Sequence, residues 1–175
     1  MNADDKSLLI ALGLGSNRGD SRRIILDAVK NLEQILSGIK IASLYLTDPL
    51  YVTDQERFVN TVVTGFYPGT PGELLFSIQK IETLFGRDRS REQRWGERSL
   101  DIDILLFGDL KVSIPESTKE PAAEPYLEIP HPRLKERRFA LEPLLELLPD
   151  VKEPGTGLSY RNICQALPDQ GVKLM

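Results

Sequence analysis

The apolar positions of the chain follow two rhythms. Residues 7–14 (SLLIALGL) are an apolar run ending in GSNRGD, which predicts a strand and then a glycine-rich turn. Asp20 or Ser21 can cap the helix that follows, because Ile24, Ile25, Ala28, Val29, Leu32, Ile35 and Leu36 recur at helical spacing and Gly38 then ends the pattern. IKIASLYL predicts a second strand and RFVNTVVTGFY a third. Between them lies TDPLYVTDQE, too long for a tight hairpin and without helical periodicity, and such a loop is more often functional than accidental. Thr70 and Glu73 form a capping box around Pro71, so a second helix starts there and stops at Gly86, with Leu74, Leu75, Ile78, Ile81, Leu84 and Phe85 as its buried stripe.

The rest of the chain is less regular. An arginine-rich segment, GRDRSREQRWGER, leads into LDIDILLF, whose period-2 pattern and branched residues predict a strand. A GD turn and a short strand, KVSI, follow. Residues 116–125 are a Pro/Ala/Glu linker, and PHPRLKERRFALEPLLELLPD predicts a turn into short helices, with Pro143 limiting where the second begins. A small helix around Arg161 to Leu167 closes the pattern. The order strand–helix–strand–strand–helix–strand implies an α+β fold: a ferredoxin-like βαββαβ core, a mostly antiparallel sheet with helices on one face, and a helical C-terminal extension. One domain over residues 1–175 is the expectation at this length.

Composition narrows the class of partner. The 175 residues are 41% hydrophobic and 27% charged, with a net charge of −4, which argues against nucleic acid or an anionic membrane as partner. One cysteine, Cys164, allows no internal disulfide. MNADDKS lacks the basic and apolar regions of a secretory leader, and no apolar run approaches a membrane span, so a cytoplasmic protein is expected.

Two positions do not suit a core strand. Asp101 and Asp103 lie at i and i+2 of LDIDILLF, on one face and roughly 6.5–7 Å apart along it. Bare carboxylates at that separation repel by about 2–3 kcal/mol at an effective dielectric near 20. They could sit on a solvated edge, although by strict alternation Leu105 and Phe107 share their face. Alternatively they hold a hard divalent cation, since paired carboxylates with substrate phosphates are a usual Mg²⁺ site. Arg87, Arg89, Arg91, Arg94 and Arg98 precede them, with Trp95 among the charges, and Arg suits bidentate phosphate contacts. By parity Arg98 would face away from Asp101 if the strand extended back to it, so a phosphate role requires the strand to start later. GLGSNRGD departs from the dinucleotide fingerprint, no P-loop exists, and a tight turn is its first reading. His131, the only histidine, lies beside Arg133, Arg137 and Arg138, which favours phosphate contact over general-base work. Phe58 and Asn60 share a strand face near Thr47 and Pro49, and a ring beside a carboxamide can bind a flat heterocycle or simply pack. An RNA-binding ferredoxin-like module and another D-x-D nucleotide enzyme are the competing readings; the acidic charge and the missing aromatic strand motif oppose the first.

GLGSNRGD, TDPLYVTDQERFVNTV, IQKIETLFGRDRSREQRWGERSLDIDILLFG and IPHPRLKERRFALEPL, in this order, resemble the 6-hydroxymethyl-7,8-dihydropterin pyrophosphokinases of folate biosynthesis. The resemblance implies a ferredoxin-like α+β fold, commonly monomeric, and transfer of the diphosphoryl group of ATP to the pterin hydroxymethyl oxygen. It implies two Mg²⁺ ions on Asp101 and Asp103, with ATP as co-substrate. Arg87, Arg98, His131 and Arg137 are implied as phosphate contacts, with Arg87 and Arg98 catalytic. Arg89 and Trp95 would lie in a loop closing over the nucleotide, Gln79 and Glu82 on the nucleotide-side helix, and Ile104 at the adenine. Thr47, Pro49, Phe58, Asn60 and Phe139 would form the pterin site. The chain departs from the family pattern at Tyr51, Glu56 and Glu97, all in the two loops.

Overall fold

The computed structural model describes residues 7–48, 55–87, 98–115 and 125–175. Its elements are β1 (Leu8–Ser16), α1 (Ser21–Leu32), β2 (Ser37–Ile41), β3 (Tyr45–Thr47), β4 (Phe58–Tyr67), α2 (Pro71–Leu84), β5 (Asp101–Phe107), β6 (Val112–Pro115), β7 (Pro125–Ile129), a 3₁₀ turn (Leu134–Glu136), α3 (Arg138–Leu147), α4 (Tyr160–Ala166) and β8 (Lys173–Leu174). The main sheet runs β5-β1-β4-β3-β8, with β2 also on β4, and the pairs are antiparallel. β1 and β4 lie centrally and β5 at one edge, the strand order of a split βαβ plan.

Local chemistry accounts for the boundaries. Asp20 caps α1 by accepting from the Arg23 amide (3.0 Å), and Thr70 with Glu73 closes both arms of the capping box on α2. α1 stops at Leu32, earlier than Gly38: Ile35 lies in a turn, Leu36 beyond it, and Gly38 sits inside β2 at φ +61°. IKIASLYL is two strands, because the chain leaves the ladder at residues 42–44 and the Thr61 hydroxyl donates to the Ala42 and Ser43 carbonyls there (both 3.1 Å). Leu84 is 74% exposed and does not join the α2 stripe; the buried positions near that end are Ile81 and Glu82. Pro143 lies inside α3, five residues past its start, and does not delay it. YLEI forms β7 against β6, a hairpin strand within what reads as linker and turn.

The sheet is covered on both faces. Ile10, Leu12, Leu14, Val59, Val63, Ile102 and Ile104 face α1 and α2 in one core. Ala11, Val62, Leu105 and Leu106 face α3 and α4 in a second. The helical extension therefore covers the face opposite the ferredoxin-like helices. A register shift between β1 and β5 at Ala11/Leu12 leaves Leu105 as an extra residue. It puts Leu105 and Leu106 in the α3 core and turns Phe107 into the α1/α2 core, so Phe107 does not share the aspartates' face as strict alternation predicts. No helix among the described residues is long and apolar enough to cross a membrane.

Candidate active site

β5 begins at Asp101, so Arg98 lies outside the ladder. Freed from strand parity, its guanidinium ion-pairs Asp101. Asn17, just past the end of β1, holds Arg98 in place: its amide nitrogen donates to the Arg98 carbonyl (3.0 Å) and its Oδ1 accepts from the Arg98 amide (2.7 Å). The Asn17 Nδ2 donates to Gln55 Oε1 (3.0 Å) and to the Glu56 carbonyl (3.2 Å). One buried carboxamide thus ties the segment before β5 to the end of the loop before β4. In the sequence Asn17 reads as part of a turn, and only its pairing with groups far along the chain reveals the tie. Asn17→Ala removes three of those four hydrogen bonds, each between partly buried groups. It is expected to cost about 2–3 kcal/mol of stability, read from denaturant unfolding; a change below about 0.5 kcal/mol would contradict the arrangement.

Arg87 joins the same cluster from the end of α2. Its Nη1 contacts Asp101 Oδ1 (2.6 Å) and ion-pairs Glu82, which is 1% exposed. Glu82 Oε1 also accepts from the Ile102 amide (2.9 Å), the strand residue between the two aspartates. Burial alone would raise the Asp101 carboxyl, but Arg98 and Arg87 outweigh it and hold it below the usual carboxylate range. Asp103 is pushed up, first by burial and then by Asp101, with His131 and Arg137 opposing. Arg137 Nη1 lies 3.4 Å and His131 Nε2 3.7 Å from Asp103 Oδ2. The His131 Nδ1 accepts from the Arg133 amide (3.1 Å), so its Nε2 is the nitrogen turned to the site. Burial pushes the imidazole down, against the pull of Asp103.

A pocket opens beside these charges, lined by Thr47, Phe58, Asn60, Arg98, Asp101, Asp103, Leu105, Arg137 and Phe139 among others. Gly13 and Gly15 of β1 also line it. These two lie within the strand and not in the turn that the glycine-rich segment predicts; Gly19, at φ +74°, is the turn glycine. A Cβ on Gly15 would come within 3.0 Å of Asn60 Oδ1, and one on Gly13 within 3.3 Å of Leu105. The missing side chains leave that space open. Asn60 Nδ2 donates to Thr47 Oγ1 (2.8 Å), which orients the carboxamide, and Arg137 stacks 5.6 Å from the Phe139 ring centre.

Most of the sequence-predicted residues meet here. Ile104 does not line this pocket; its side chain is in the α1/α2 core. Gln79 is half-buried on α2 and is likewise not a lining residue. Pro49, Arg89 and Trp95 lie outside the described residues.

An α+β sheet carrying opposed charges at its edge, beside a pocket with two rings and a fixed carboxamide, suits an anionic group held next to a flat heterocycle. Comparison with known proteins makes the class specific. The chain belongs to the 7,8-dihydro-6-hydroxymethylpterin-pyrophosphokinase (HPPK) family, whose model its residues 11–149 match. It is 36% identical over 166 residues to the 2-amino-4-hydroxy-6-hydroxymethyldihydropteridine pyrophosphokinase of Pseudomonas aeruginosa, covering 94% of each chain. It is also 36% identical over 167 residues to the folic acid synthesis protein fol1 of Pneumocystis carinii, covering 94% of this chain and 21% of that one. In fold it is similar to wild-type HPPK-DHPS from Plasmodium falciparum, with a TM-score of 0.71 at 17% identity over 94% of this chain and 45% of that one. The chain thus spans about a fifth of the fol1 protein and under half of the Plasmodium one.

Proposed function

We propose that the chain transfers the diphosphoryl group of ATP to the hydroxymethyl oxygen of 6-hydroxymethyl-7,8-dihydropterin, giving AMP and the pterin diphosphate used in folate biosynthesis. The observation that carries this reading is the adjacency of the Asp101–Asp103 face, with its ring of Arg87, Arg98, Arg137 and His131, to the pocket of Phe58, Asn60, Thr47 and Phe139. One end suits a polyphosphate and the other a flat heterocycle with a polar edge.

In the proposed step the pterin hydroxyl oxygen attacks the β-phosphorus. A new O–P bond forms, the bond from the β-phosphorus to the α,β-bridging oxygen breaks, and AMP leaves with that oxygen; the hydroxyl proton is lost to solvent. Phe58 and Phe139 hold the pterin between their rings, with Asn60, oriented by Thr47, reading its edge. This places the hydroxymethyl group toward the aspartates and reduces the entropy cost of reaction. Arg98, Arg87, Arg137 and His131 stabilise the charge that develops on the transferring phosphoryl oxygens. The Arg89 and Trp95 segment would close over the nucleotide, with Gln79, Glu82 and Ile104 on its side.

The donor set at β5 fits Mg²⁺. Two hard carboxylate ligands at i and i+2, completed by substrate phosphates, are a usual Mg²⁺ arrangement, and a divalent cation relieves the repulsion between them. Asp101 and Asp103 would hold two such ions, which neutralise phosphate charge and orient the reacting oxygens when bound. The reading includes a monomeric, cytoplasmic protein.

The direct test is incubation of purified protein with ATP, Mg²⁺ and reduced hydroxymethylpterin, with nucleotide products resolved over time. Pterin-dependent AMP is expected. ADP as product, or turnover that ignores the pterin, would point instead to another D-x-D nucleotide enzyme.

A further inference from the structure

The residues beyond 149 lie outside the family match, yet their last nine bond to the segments that carry both walls of the pocket. α3 starts at Arg138 with no acceptor from its own cap residue, Arg137, so its first amides need partners from elsewhere. Gln170 supplies one: its Oε1 accepts from the Arg138 amide (2.9 Å) while its Nε2 donates to the Glu136 carbonyl (2.8 Å). Arg138 returns a bond to the Leu167 carbonyl (3.1 Å). This end of α3 carries Arg137 and Phe139.

The chain then reverses at Gly171 (φ +67°), where a Cβ would stand 3.5 Å from Asp48 Oδ2. Beyond the reversal, Lys173 and Leu174 pair with Leu46 and Tyr45, and the Met175 amide donates to the Leu44 carbonyl (2.9 Å). Those partners lead directly into Thr47, which orients Asn60. We infer that residues 167–175 are a clasp that sets the spacing between the Phe139 wall and the Thr47–Asn60 wall of the heterocycle slot, with Gln170 as its positioning residue. A segment that only covered the β3 edge would need neither the Gln170 bonds nor the reversal against Asp48. The inference rests on the pyrophosphokinase reading above.

The distinguishing readout is a split between the two substrates. In the full chain, Gln170→Leu is expected to raise the KM for the pterin about five- to tenfold, and to change kcat and the KM for ATP, which it reaches only through Arg137, by a clearly smaller factor. Gln170→Glu keeps an acceptor for the Arg138 amide and is expected to raise the pterin KM by less than about threefold. If Gln170→Leu does not fold, Gly171→Val, which strains the reversal and leaves the α3 contacts in place, carries the same expectation. An unchanged pterin KM, or equal rises for both substrates, overturns the clasp. A wild-type chain that forms no pterin-dependent AMP overturns the underlying reading instead.

Discussion

Asp103→Ala is expected to reduce turnover by about 10³-fold or more while leaving the protein folded and no less stable. The activity loss follows from removing a ligand for the proposed metal–phosphate complex, a contribution of several kcal/mol to transition-state stabilisation. Stability should survive because burial and Asp101 push the Asp103 carboxyl up, which means that its charge is unfavourable in the ligand-free fold. Its partners, Arg137 and His131, sit at 3.4 and 3.7 Å, close enough to steer phosphate but loose for a structural pair. Steady-state kinetics and a thermal melt on the same preparation check both halves. Activity within tenfold of wild type would refute the metal assignment, and a marked drop in Tm would show that Asp103 is structural.

Glu82→Ala, in contrast, should lose stability. Glu82 is buried on α2, and its carboxylate engages the Arg87 guanidinium and the Ile102 amide. Its removal leaves a buried cation and a buried amide without that partner, which costs about 3–5 kcal/mol when one member of such a pair is lost. The Tm should fall by on the order of 10 °C for a chain of this size. Turnover should fall as well, because Glu82 anchors both Arg87 and the strand residue between the aspartates. Glu82→Gln retains the acceptor for Ile102 and should lose roughly half as much stability. A Tm within 2 °C of wild type for Glu82→Ala, about what 1 kcal/mol or less would produce, would contradict this role.

These two carboxylates illustrate what could be read from the chain. The D-x-D pattern was legible because acids on an otherwise apolar strand break a local rule, and rule-breaking positions concentrate at functional sites. Caps and periodicity placed α1, α2 and β4 for the same reason, as local signals with local causes. Glu82 reads as a nucleotide-side position only through the family resemblance, and nothing nearby in sequence announces that its carboxylate will be buried on the Ile102 amide twenty residues later. Asn17, the Leu105 bulge and the Gln170 cap share that character: each is defined by a partner far along the chain. The bulge matters most, because one extra residue reverses which face Phe107 occupies, and period-2 counting has no access to it. The placement of α3 and α4 on the second face was equally hidden, since their apolar residues require burial without naming the surface.

The proposed reaction moves the diphosphoryl group intact from ATP to the pterin at this site. Following the reaction with ATP labelled separately at the α-, β- and γ-phosphorus tests it most directly. The β and γ labels are expected to appear together in the pterin product, with the α label staying in AMP. Transfer of γ label alone, with β label remaining in ADP, would contradict it.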